Sequence, residues 1–115
     1  MAVNILQIAY YPGLLEARRM MLEREGYEVV CALGNDQGIA LASMKTFDLI
    51  VLGFSATHSV RNAMLRWLKE HLSQTPVVAL LAHDAEVFPE ADHVTLSEDP
   101  RAWLATVAEC IKSRA

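Results

Sequence analysis

Only two cysteines, Cys31 and Cys110, occur in the 115 residues, far apart and without the spacing of metal ligands. With no secretory leader ahead of them, they read as free thiols in a reducing compartment, not as a disulfide. Basic residues are few as well: 10 Lys and Arg stand against 14 Asp and Glu, for a net charge of −4, and nothing basic is clustered. That excludes the electrostatic footprint of a nucleic-acid binder. No apolar run approaches the length of a membrane span. The N-terminus enters a strand-like segment, Val3 to Ala9, without a basic region or cleavage site. The expectation is a cytoplasmic chain with neither nucleic acid nor membrane as partner. Glycine is sparse, at five residues, and Pro12-Gly13-Leu14 is too poor in small and hydroxyl residues to cradle a nucleotide or flavin phosphate.

What is present suits one buried sheet. With 53% apolar and 21% charged residues, residues 1–115 read as a single domain with one core. Asn4 to Ala9 is a short apolar strand stopped by Pro12-Gly13. Helical spacing follows from Leu14 to Glu25, with Leu14, Ala17, Met21 and Leu22 on one face and Glu16, Arg18, Glu23 and Arg24 mostly outside it. Gly26 ends it. Tyr27 to Ala32 is a second strand, and Asn35 or Asp36 caps a helix from about Gln37 to Met44. Phe47 to Leu52 is nearly all apolar, as in a parallel sheet covered on both faces. Thr57 or Ser59 caps the next helix, which carries Val60, Met64, Leu65, Leu68 and Leu72 and ends at Thr75-Pro76.

Val77 to Ala82 is a fourth strand and His93 to Leu96 a brief fifth. Between them, His83 to Pro89 has room for one helical turn at most. Pro100 opens a final helix with Asp99 as its cap and an apolar stripe of Trp103, Leu104, Val107, Ala108 and Ile111. Alternating strands and helices predict a three-layer α/β/α sandwich with right-handed crossovers. The flavodoxin-like order 2-1-3-4-5 follows, with the fourth helix shortened or absent. Ligands of such sheets bind at the carboxyl ends of the strands, where the order switches between the first and third. The loops at that point are Ala9-Tyr10-Tyr11-Pro12 and Gly53-Phe54-Ser55-Ala56.

Several segments, in order and at matching intervals, resemble the receiver domain of two-component response regulators, the CheY-like family. They are Ile5 to Pro12, Leu22 to Val30, Asp48 to Gly53, Pro76 to Ala82 and Ala91 to Val94. The resemblance implies that fold and a place in phosphorelay signalling. It also implies where the chemistry should be, and there this chain departs from it. The family's two magnesium-binding acids align with Ala9 and Tyr10, and its phosphoacceptor aspartate with Gly53. Its switch hydroxyl falls at Leu81, its switch aromatic at Val94 and its lysine at Ser97. Aspartyl phosphorylation needs a carboxylate nucleophile and a divalent cation held by oxygen ligands. No phosphorylation, no magnesium and no other metal or cofactor is therefore expected.

Other constellations are weaker. Ser55, His58 and Asp84 lack the strained nucleophile elbow of a serine hydrolase. His83 and the other loop histidines read as solvated. Ser55, Thr57 and Ser59 offer hydroxyls to an anion at a helix N-terminus, though capping alone accounts for them. Trp67 reads either as a partly exposed contact residue or as packed against the sheet. The expected function is a receiver-like module, not an enzyme, that works by contact with a kinase, a regulator, an output protein or a second copy. The last helix and the edge formed by the fourth and fifth strands are the expected surfaces. The alternative is a small-molecule or anion-binding domain using the crevice at the strand ends.

Overall fold

The computed structural model describes residues 2–53, 58–81, 93–96 and 99–114. The elements run β1 Asn4–Ala9, α1 Pro12–Arg24, β2 Glu28–Leu33, α2 Asn35–Met44, β3 Leu49–Leu52, α3 His58–His71, β4 Val77–Leu81, β5 His93–Leu96 and α4 Pro100–Arg114. All pairings are parallel, and the order across the sheet is β2-β1-β3-β4-β5. The fold is α/β and flavodoxin-like, with four helices among the described residues. The expected single turn between β4 and β5 falls on residues 82–92, outside the described residues.

The period-two alternation of the strands sorts their side chains into two cores. Leu6, Ile8, Ile50, Leu52, Val77 and Ala79 point to the face covered by α2 and α3, where Met64, Leu65 and Leu68 meet them. Ile5, Leu49, Val51, Val78 and Leu80 point to the other face, against Leu22 of α1 and Trp103, Val107 and Cys110 of α4. Trp103 is 1% exposed, and Leu104, Val107 and Ile111 pack with it onto the sheet, whereas Ala108, expected in the same stripe, is exposed. Asp99 caps that helix through its side chain, accepting from the Ala102 amide at 3.2 Å. Trp67 is half-buried against the first core and stacks on His71, ring centroids 4.5 Å apart. Both cysteines are free, Cys110 buried and Cys31 half-buried.

One helix face differs from the sequence reading. The buried positions of α1 are Leu15, Arg18 and Leu22, while Ala17 is exposed. The stripe is rotated by about one residue because one of its members is an arginine. Charged side chains are so rarely buried that a periodicity search places them on the solvent side.

Close packing fixes α2 on β1. A Cβ built on Gly38 would stand 2.6 Å from Ile8 Cδ1 and 3.2 Å from Met64 Cε. Both are tips of buried side chains, so even a methyl group must displace them. Gly38→Val, which adds two further carbons, is expected to lower the unfolding free energy by about 2 kcal/mol in urea titration, overpacking outweighing the helix-propensity gain.

Candidate functional site

The carboxyl ends of β1 and β3 meet at Ala9 and Gly53. The register Ile8↔Leu52 continues there, and the Gly53 amide donates to the Ile8 carbonyl at 2.8 Å. Leu49 and Val51 belong to the core under α1 and α4, so pleat alternation points position 53 to that same face. A Cβ built on Gly53 would stand 3.2 Å from Ala9 Cβ and 2.7 Å from Arg18 Nη1. The site therefore consists of a missing side chain, a methyl group and a guanidinium.

Arg18 arrives there because of helix geometry. It lies one turn beyond the first turn of α1, on the stripe between Leu15 and Leu22. Helical side chains lean toward the N-terminus of their helix, which here abuts the strand ends. The residue is only 5% exposed. Burial pulls the guanidinium below its ordinary pKa, yet arginine keeps its proton in proteins. Neither a hydrogen bond nor an ion pair reaches it among the described residues. The acids of its own helix are engaged elsewhere: Glu16 and Glu23 both bind Arg19 on the solvent side. Asp48 lies at the opposite end of the sheet, accepting from the Asn4 amide at 2.8 Å.

The remaining side chains frame this charge. Gln7, 1% exposed on the same face of β1, donates through Nε2 to the Leu15 carbonyl at 2.7 Å and to Cys31 Sγ at 3.1 Å. Its Oε1 has no partner among the described residues. Burial pushes the Cys31 thiol up, and the Gln7 hydrogen bond opposes that rise only in part. Cys31 is thus a protonated, structural thiol. Tyr10 turns toward the β2–α2 connection. Its ring lies 3.5 Å from the Cβ position of Gly34, and its hydroxyl accepts from the Asn35 amide at 3.2 Å.

Of the residues singled out in the sequence, the structure brings Ala9 and Gly53 together and sets Tyr10 beside them. Leu81 ends β4, Val94 pairs with Ala79 in β5, and Ser59 is exposed in the first turn of α3. Ser55, Thr57, Ser97, His83 and Asp84 lie outside the described residues, as do the three-hydroxyl anion site and the serine-hydrolase constellation built on them. Among the described residues no group of three or more His, Cys, Asp or Glu could hold a metal.

The same frame is widespread among solved structures. A CheY-like receiver domain from Methanospirillum hungatei superposes with a TM-score of 0.86 at 18% identity, covering 98% of this chain and 96% of its own. The signal receiver domain of a histidine kinase from Syntrophus aciditrophicus gives 0.83 at 22% identity, covering 97% and 92%. A response regulator from Thermotoga maritima, solved with Mg2+ and beryllofluoride, gives 0.81 at 16% identity, covering 94% and 98%. The fold is that of response-regulator receivers. No protein-family model matches the chain, and no curated protein does.

A magnesium ion, as in the Thermotoga maritima structure, does not suit Ala9, Tyr10 and Gly53 here. Ala9, Tyr10 and Gly53 supply no carboxylate, and the nearest charge is a cation of the wrong sign. No helix of the described residues is long and apolar enough to cross a membrane.

A buried guanidinium without a partner is costly, and an apolar side chain of similar length removes the cost. Arg18→Met is therefore expected to raise the unfolding free energy by about 1–3 kcal/mol in buffers of non-coordinating anions. Destabilisation of that size would mean that Arg18 is already paired within the chain.

Proposed function

We propose that the chain is a receiver-like module of two-component signalling that works without aspartyl phosphorylation, is not an enzyme, and acts in the cytoplasm by protein contact. The observation that carries this reading is the Arg18 guanidinium at the place where a phosphoacceptor side chain would begin. A glycine there offers no nucleophile, and a fixed positive charge opposes entry of a second cation. The likeness to receiver structures supports the signalling context, since that scaffold is kept across nearly the whole chain.

Four of the six large apolar side chains exposed among the described residues gather on one surface, Met20 and Met44 lying apart from it. Tyr10, Tyr11, Leu33 and Val60 are each more than a third exposed, and all lie at the carboxyl rim of the sheet. Asn35 joins their elements, its amide donating to the Tyr10 hydroxyl and its Nδ2 to the Val60 carbonyl at 3.1 Å. The described exposed residues of α4 are Pro100, Arg101, Ala105, Ala108, Glu109, Lys112 and Ser113, a surface with no large aliphatic or aromatic side chain. The rim is thus the better docking surface than the last helix. A kinase, regulator or output protein, or a second copy, is the partner class. A small-molecule or anion-binding role for the same crevice is the second reading, favoured by the buried cation.

Incubation with acetyl phosphate and magnesium is expected to leave the intact mass unchanged, and magnesium alone to leave the Gly53 and Ala9 amide resonances in place. Gly53→Asp is expected to behave in the same way, its carboxylate pairing with Arg18 instead of a metal. A magnesium-dependent phosphoryl adduct on either protein contradicts the reading.

A further inference from the structure

We propose that Arg18 and the N-terminus of α1 form a binding site for a small oxyanion of the phosphate type, at the carboxyl ends of β1 and β3. Three independent observations support it. First, Arg18 is only 5% exposed, with no partner among the described residues. A charge withdrawn that far from water needs a counter-charge. Secondly, its Nη1 is aimed at Gly53 and Ala9, the crevice where this strand order places its ligands. Thirdly, α1 begins with no side-chain cap and no acid in its first turn, and nothing lies within 4 Å of a Cβ built on Gly13. The open start of the helix and its dipole therefore favour negative charge.

The charge balance excludes a carboxylate of α1 as the counter-ion, because Glu16 and Glu23 are both held by Arg19 on the outer face. Pro12-Gly13-Leu14 is too sparse to cradle a phosphate by itself, Pro12 having no amide and Leu14 already donating to the Tyr11 carbonyl. Gly13 would therefore supply one N–H and Arg18 the charge. A guanidinium presents a planar fork of donors matched to two oxygens of a phosphate. The site inverts the usual receiver arrangement: a fixed cation and a bound anion take the place of a bound cation and a fixed, modified carboxylate.

This inference rests on the reading that position 53 carries no phosphoryl group, and the two fail separately. A phosphoryl adduct in the mass spectrum would defeat that reading, whereas an anion titration addresses the binding site alone. The 15N-labelled chain is titrated at constant ionic strength with inorganic phosphate and, in a second arm, with glycerol phosphate. Saturable shifts are expected at the Gly13, Ala9 and Gly53 amides and at Arg18 Nε. A lower apparent Kd for the ester assigns the site to a phosphorylated metabolite, and an equal or higher one to the free ion.

Arg18→Met is expected to weaken binding by at least about tenfold, as loss of a charge-assisted hydrogen bond would. Gly53→Ala, whose methyl group displaces the guanidinium, is expected to weaken it while the chain still folds. Shifts that are absent, that do not saturate, or that persist in both variants overturn the proposal.

Discussion

A single buried positive charge sets the electrostatics at the carboxyl ends of β1 and β3. The Arg18 guanidinium lies where the first and third strands diverge, under a glycine that makes room for it. Any side chain at position 53 would have to displace Nη1, and a carboxylate there would be neutralised by it before reaching a metal. The glycine and the arginine are therefore one feature. A side chain at position 53 and the guanidinium from α1 would occupy the same space.

The rest of the fold is built to hold that end still. Leu15 and Leu22 bracket Arg18 on α1, and Leu22 joins Trp103, Val107 and Cys110 over the same face of the sheet. Gln7, one pleat below Ala9, ties β1 to the Leu15 carbonyl and to Cys31 on β2. On the opposite face Gly38 lets α2 approach Ile8 closely, fixing the strand whose end carries Ala9. These contacts account for how a polar side chain can sit in an apolar layer without disturbing the strand register.

Much of the architecture was legible in the sequence because its signals are local. Apolar runs such as Leu49 to Leu52, the Pro100 and Asp99 cap, and the stop at Gly26 each state an element in a few residues. Gly53, Ala9 and Tyr10 were likewise found by position alone. Arg18 was not, and the reason is physical. Its burial depends on the space left beside α1 by the small residues Ala9 and Gly53, the second of which lies far from it in sequence. The signal that could have revealed it is the stripe Leu15, Arg18, Leu22, whose spacing of three and four puts the arginine in line with two leucines. The exposed rim was also hidden, because Tyr10, Tyr11, Leu33 and Val60 converge only through the parallel topology.

The most direct test of the central claim is a high-resolution crystal structure grown in the presence of magnesium and beryllofluoride. The account predicts the Arg18 guanidinium beside Gly53, with no metal coordinated between the ends of β1 and β3. A magnesium ion bound there, with Arg18 swung out to solvent, would contradict it.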